Sequence, residues 1–147
     1  TDFICLQAEF DHVPLEDNQV ELVLFNASFH YSINYEVTLG EAVRVLRPEG
    51  QVVVMDTAVY QHKSSGQQMV AEREAAFIRQ YGFASNSLPS ENFLTYDRLR
   101  ELTAATNIQW QFIWPNPAWR RLARWLKVKL RRQREPAKFP LLVGRRA

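Results

Sequence analysis

Side chains that can donate or accept hydrogen bonds are concentrated in the loop at residues 26–34, NASFHYSIN. His30 is the main candidate for catalysis, because an imidazole titrates near neutral pH and can orient a nucleophile or act as a general base. It can equally be a hydrogen-bonded loop residue that holds Asn26 and Ser28 in place. Tyr60, which follows a later apolar segment, is a candidate for substrate contact. The sequence therefore predicts a site at these two loops.

Two apolar segments flank the first loop in the order strand, helix, strand. Residues 20–25, VELVLF, show no clean alternation, which is typical of a strand covered on both faces. Apolar residues recur at helical spacing in residues 35–46, with Asn34 placed to cap that helix. Gly50 is expected to allow the turn into a second strand at residues 51–56. If these strands are parallel neighbours, both candidate loops lie at the same edge of the sheet.

The order and spacing of these residues resemble a class I S-adenosylmethionine-dependent methyltransferase of the ubiquinone and menaquinone biosynthesis type. The resemblance follows an LPF-like turn, an FDxV strand, an N-x-S-x-H loop and an E-x-x-R-V-L-x-P-G-G turn. The residues at those positions are Pro14, Glu21, Val23, Asn26, Ser28, His30, Glu41, Arg44, Val45, Leu46, Pro48 and Gly50. Glu21 stands where the family has Asp, and Glu49 where it has the first glycine of the pair. The family's glycine-rich first motif is absent, so the chain resembles the carboxyl-terminal part of such an enzyme.

The resemblance implies a partial Rossmann-like α/β fold with a mixed sheet, an antiparallel carboxyl-terminal strand and helices on both faces. It also implies methyl transfer from S-adenosylmethionine to a small-molecule acceptor, by an enzyme domain that is incomplete in this chain. The implied adenine contacts are Gln7, Ala8 and Glu9; those to the methionine half of the cofactor are Phe25, Asn26 and Ala27; and the substrate side has His30, Tyr31 and Tyr60. Gln7 replaces an acidic residue, so its hydrogen bond to adenine would be weaker.

Further elements are predicted on both sides of this region. They are a strand at residues 1–10, a helix at 67–80 after a polar loop, a helix at 96–105 capped by Thr95, a strand at 108–114 and a last strand at 138–146. In the family's sheet the strand at 1–10 would lack its neighbours, and an unpaired strand leaves backbone donors and acceptors unsatisfied. Two explanations stay open: the sequence is part of a larger protein, or this strand pairs with another chain, as in a homodimer.

A basic amphipathic helix is predicted at residues 117–135, as an insertion between the last two strands. Eight Lys or Arg residues lie between Arg120 and Arg134. This surface can bind an anionic membrane, RNA or a phosphate-bearing substrate, or it can be a solvated helix face. It also supports an alternative function, a non-catalytic methyltransferase-like module that uses the helix to bind a membrane, a nucleic acid or a protein.

The composition is that of a globular protein, with 46% hydrophobic residues in a chain of 147. This length predicts a single domain. Cys5 is the single cysteine, so no internal disulfide can form, and no cluster of Cys and His has the spacing of a zinc site. No apolar run is long enough for a transmembrane helix. We therefore expect a soluble, cytoplasmic protein without a structural metal.

Overall fold

The computed structural model describes residues 3–85, 89–115 and 134–147 of an α/β fold. The helices are α1 (Tyr35–Val45), α2 (Lys63–Tyr81) and α3 (Tyr96–Thr106), and the strands are β1 (Val20–Asn26), β2 (Leu46–Met55), β3 (Val59–Tyr60), β4 (Leu94–Thr95), β5 (Ile108–Ile113) and β6 (Leu141–Arg146). A 3-10 helix, Phe29–Tyr31, lies in the loop after β1. Most of the basic helix predicted at residues 117–135 lies outside the described residues.

The main sheet has the strand order β1-β2-β6-β5. β1 runs parallel to β2, while β6 runs antiparallel to both β2 and β5. The predicted mixed sheet with an antiparallel carboxyl-terminal strand is therefore confirmed, as is the parallel pairing of the two strands that flank the candidate loops. A second, two-stranded sheet pairs β3 with β4.

Helices α1 and α3 pack on one face of the main sheet and form the core with it. Leu39 of α1 and Leu99 and Leu102 of α3 are buried in the same cluster as Val52 and Val54 of β2. Both helices begin at the caps that the sequence predicts. The Asn34 side chain accepts hydrogen bonds at the start of α1, and the Thr95 side chain accepts one at the start of α3. None of the helices in the described part of the chain is long and apolar enough to span a membrane.

The opposite face is partly open at β1, where Leu22 is 53% and Leu24 is 52% exposed. The prediction that β1 is covered on both faces is therefore wrong for the described residues. The reason is topological: β1 is an edge strand in the observed order, and its alternate residues point away from α1 and α3.

Residues 3–10 do not form the predicted strand. They contain no regular element, and Phe3, Ile4 and Leu6 are exposed. The apolar pattern of this segment suits a strand, but a strand needs a partner for its backbone groups. Among the described residues, its one β-type contact is an isolated bridge from Glu9 to His12.

Gly50 has a different role from the one that the sequence predicts. It does not have a positive φ. A Cβ there would lie 2.7 Å from the Leu46 side chain and 3.2 Å from the Glu21 carbonyl oxygen, so any side chain at this position would displace Leu46 and press on the β1 backbone.

Element boundaries also differ from the predicted ones. Helix α1 ends at Val45, β2 already begins at Leu46, and β6 begins at Leu141. Helix α2 begins at Lys63, within the predicted polar loop.

Candidate functional site

The two parallel strands end side by side, and each is followed by a residue in the left-handed conformation. Ala27 after β1 has φ 50° and Asp56 after β2 has φ 53°. The Ala27 backbone N–H donates to the Met55 carbonyl oxygen at 3.1 Å, which ties the two strand ends together. Positive φ is unfavourable for alanine, and such strained backbone is concentrated at functional sites. Both candidate loops therefore leave the sheet at the same edge, as predicted.

His30 connects these two loops. Its Nδ1 atom lies 3.4 Å from the hydroxyl oxygen of Thr57, a residue that is only 2% exposed. The imidazole also lies against the Tyr31 ring, with 4.3 Å between ring centroids. Burial lowers the pKa of His30, and the positive charge of Arg73 lowers it further. Both effects favour the neutral imidazole.

Loop 26–34 is anchored to the core by its aromatic residues and is open elsewhere. Phe29 is fully buried and stacks on Tyr35, with 4.6 Å between ring centroids. Asn26, Ala27 and Tyr31 are exposed, so they can contact a ligand. The Phe25 side chain lies in the core, which leaves its backbone as the part that can face a cofactor.

Tyr60 lies apart from these exposed residues. Its side chain is completely buried, and its hydroxyl accepts a hydrogen bond from the Arg134 guanidinium at 2.8 Å. Burial raises the pKa of this hydroxyl. Its ring packs edge-on against Phe93 at 5.9 Å between centroids. A role in substrate contact stays a prediction for Tyr60, and it requires that the residues covering its side chain move, because that side chain is completely buried.

The predicted adenine contacts Gln7, Ala8 and Glu9 are exposed in the irregular segment before β1. That segment is held near the site by Phe10, whose ring packs edge-on against Phe25 with 6.0 Å between centroids. Phe10 was not among the predicted site residues. The signal in the sequence that could have identified Phe10 is its position, because this aromatic residue directly follows the predicted contact Glu9.

Glu41 and Arg44, the first and last residues of the E-x-x-R motif, hold the next part of this segment. The Glu41 carboxylate accepts hydrogen bonds from the Val13 backbone N–H at 2.8 Å and from Arg44 at 2.7 and 2.8 Å. Arg44 also donates to the Val13 carbonyl oxygen and pairs with Asp17. The hydrogen bonds from Arg44 lower the pKa of Glu41 to about 2. These two residues position the chain before β1 and are not placed for catalysis.

Helix α2 brings Arg73 toward the site. Gly66 of this helix lies directly on the Phe93 ring, and Arg73 donates to the Asn92 side-chain oxygen at 2.6 Å. Neither Arg73 nor Thr57 was predicted from the sequence. Within residues 3–85, 89–115 and 134–147, no group of three or more His, Cys, Asp or Glu side chains could hold a metal ion.

Residues 1–54 match the family described as "Methyltransferase domain". The chain is also similar to solved structures along most of its length. The match to a SAM-dependent methyltransferase from Thermotoga maritima covers 97% of this chain and 63% of that one, with 17% identity and a TM-score of 0.53. For the YcgJ protein from Bacillus subtilis the TM-score is 0.60 at 12% identity, over 97% of this chain and 70% of that one.

A third similar structure is an arsenic(III) S-adenosylmethionine methyltransferase from Chlamydomonas reinhardtii, with 19% identity and a TM-score of 0.50 over 94% of this chain and 42% of that one. No curated protein sequence matches the chain. At these identities the structural matches show the fold, which is that of class I methyltransferases. The chain spans less than two thirds of the Thermotoga and Chlamydomonas proteins.

Proposed function

We propose that this chain belongs to a methyltransferase that transfers a methyl group from S-adenosylmethionine to a small-molecule acceptor. The main observation is that β1 and β2 end side by side, and that each is followed by a left-handed residue, Ala27 or Asp56. The loop after β1 carries an exposed Asn26 and carries His30, whose pKa is lowered by burial. The class I methyltransferase fold and the family match over residues 1–54 support the same function.

The residues present fit one wall of a cofactor site. Asn26 and Ala27 are exposed at the end of β1, where Ala27 has a positive φ. The contact between Phe10 and Phe25 brings the segment with Glu9 to the same strand end. In this proposal Gln7, Ala8 and Glu9 border adenine, and Phe25, Asn26 and Ala27 border the methionine half. The glycine-rich motif of the ubiquinone-type enzymes, which would form another wall, is not among the 147 residues.

S-adenosylmethionine supplies an electrophilic sulfonium methyl group, which leaves sulfur as a new bond forms to the acceptor and so gives the neutral thioether S-adenosylhomocysteine. Positioning of the acceptor can supply much of the rate of such a transfer. His30 and Tyr31 are the candidates for acceptor contact on the open loop, and Tyr60 is a further candidate. His30 either orients the acceptor or takes its proton.

The alternative of a non-catalytic binding module depends on the basic segment at residues 117–135. Only residues 134 and 135 of this segment are among the described residues. Both of them contact other parts of the chain. Arg134 donates to the Tyr60 hydroxyl at 2.8 Å and to the Glu72 carboxylate at 3.1 Å. The Glu135 carboxylate accepts hydrogen bonds from the backbone N–H groups of Gln61 and His62 at 2.9 and 3.3 Å. These contacts bind residues 134 and 135 to the fold and do not favour an external partner. We therefore keep the methyltransferase as the proposed function.

Calorimetric titration of S-adenosylhomocysteine into the complete protein tests the proposal. We expect saturable binding, weakened about tenfold by Asn26→Ala, which corresponds to the loss of a hydrogen bond of about 1.4 kcal/mol. Gln109→Ala is the matched control, because Gln109 is an exposed polar residue on β5, at the far edge of the sheet from β1. Absence of binding, or equal binding by both variants, would contradict the proposed cofactor site.

A further inference from the structure

The hydroxyl of Thr57 is an unusual group at the end of β2. Thr57 follows the left-handed Asp56 and is almost completely buried. In the described part of the chain, its hydroxyl oxygen has a single hydrogen-bond partner, Nδ1 of His30 at 3.4 Å. A buried hydroxyl is expected to use its proton in a hydrogen bond, since an unsatisfied donor away from water is unfavourable. The direction of this bond therefore determines which nitrogen of the neutral His30 ring carries the proton.

Two directions are possible, and burial favours one of them. If Nδ1–H donated to Thr57, the Thr57 hydroxyl proton would be buried without an acceptor among the described residues. If Thr57 donates to Nδ1, its proton is used, and only a hydroxyl lone pair is left without a partner. A lone pair without a donor is tolerated more often than a buried donor without an acceptor. A neutral imidazole whose Nδ1 accepts a hydrogen bond carries its proton on Nε2.

The Nε2 atom is the part of His30 that is left for a ligand. None of the described residues forms a hydrogen bond with Nε2, and the ring is only partly buried. The Tyr31 ring, tilted by 45° against the imidazole, restricts the rotation of the ring from one side. The contact with Thr57 and the Tyr31 ring together restrict the orientation of the Nε2–H group.

We propose that Thr57 is a positioning residue, which donates to Nδ1 of His30 and thereby presents Nε2–H to an anionic oxygen of the methyl acceptor, a carboxylate or a phenolate. This inference rests on the proposed methyltransferase function and deepens it. An Nε2 atom that carries a proton has no lone pair to accept another, so His30 orients the acceptor and does not act as its base.

The charge that helix α2 contributes supports an anionic acceptor. Arg73 is fixed by its hydrogen bond to Asn92, a buried residue one position before the Phe93 on which α2 rests. Its positive charge acts on His30, where it opposes protonation of the ring. The same charge would stabilise an anionic oxygen bound at Nε2–H, since opposite charges attract strongly in a partly buried site.

The test is the tautomer of His30, read from its ¹⁵N chemical shifts by NMR in the complete protein at pH 7.5. We expect the Nε2–H form in the wild type and in Thr57→Ser, which keeps the hydroxyl. Thr57→Val, which keeps the shape and removes the hydroxyl, should change the two nitrogen shifts toward those of a mixture of tautomers. An Nδ1–H form in the wild type, or identical shifts in Thr57→Val, would overturn the inference.

Titration with benzoate, with benzamide as the neutral control, tests the acceptor class. We expect benzoate to shift the His30 Nε2 resonance in a saturable way, with at least fivefold weaker binding to Thr57→Val, and benzamide to cause no such shift. A response to both compounds, or to neither, would contradict an anionic acceptor. Because S-adenosylhomocysteine binding is measured separately, failure of the tautomer test with intact cofactor binding refutes only the role of Thr57, whereas loss of cofactor binding refutes the proposed function.

Discussion

A single methyl group added at Gly66 should change how helix α2 packs against Phe93. A Cβ added at Gly66 would lie 2.3 Å from two carbons of the Phe93 ring, well below van der Waals contact. Phe93 is 4% exposed, its ring packs against Tyr60, and its carbonyl oxygen accepts a hydrogen bond from the Tyr35 hydroxyl at 3.2 Å. The ring therefore cannot move aside freely, and α2 must shift instead.

The expected size of the effect follows from two opposing terms. Replacing glycine by alanine inside a helix normally stabilises a protein by about 0.5–1 kcal/mol. Overpacking of a close-packed site costs about 1–3 kcal/mol. For Gly66→Ala the second term is the larger, and we expect a net loss of about 1 kcal/mol in the free energy of unfolding.

Gly40→Ala is the matched control, because Gly40 lies within helix α1 and an added Cβ there would meet no atom within 4 Å. This variant should gain about 0.5–1 kcal/mol. Urea denaturation of both variants, followed by circular dichroism, measures the difference. A further Phe93→Leu change should reduce the cost of Gly66→Ala, since a smaller side chain leaves room for the Cβ. Equal stabilisation by Gly66→Ala and Gly40→Ala would refute the predicted contact between α2 and Phe93.

Two further predictions concern charges. The lowered pKa of Glu41 contributes stability that is present above pH 4.5 and is lost as the pH falls toward about 2. Glu41→Gln should therefore destabilise the protein by about 2 kcal/mol at pH 7 and flatten this acid limb, whereas an unchanged limb in pH-dependent urea denaturation would contradict the pairing with Arg44. Arg73→Gln removes a positive charge that lowers the pKa of His30, so NMR titration should show a higher pKa for His30 than in the wild type. No increase would contradict the placement of Arg73 near the site, and Arg79→Gln, an exposed change on the same helix, is the control.

The elements that the sequence predicts well are those with local signals. Asn34 and Thr95 cap helices at the residues where the apolar spacing begins, and a cap and its partners lie within a few residues. The β1 and β2 strands were equally recognisable from short apolar runs. Residues 3–10 have the same local pattern and form no strand, because pairing depends on a neighbour that the pattern does not contain.

The contacts that shape the site join residues far apart in the chain. His30 and Thr57 are 27 residues apart, and Gly66 meets Phe93 across a similar separation. The sequence placed His30 and the end of β2 at one edge of the sheet, but nothing in it singles out the hydroxyl that reaches Nδ1. Likewise, a glycine among polar residues favoured a loop at Gly66, whereas the structure uses this glycine as a contact surface inside α2.

The motif residues that carry the family resemblance divide into two groups by what they touch. Glu41 and Arg44 bind only other parts of this chain, and their hydrogen bonds fix the segment before β1 through Val13. Asn26 and His30 lie at the opened strand ends, where the described residues leave polar atoms available to a ligand. Substitutions in the first group should therefore lower stability before they affect chemistry, whereas substitutions in the second should affect ligand binding in a protein that remains folded. The resemblance alone does not separate these roles, because both groups match the family pattern equally well.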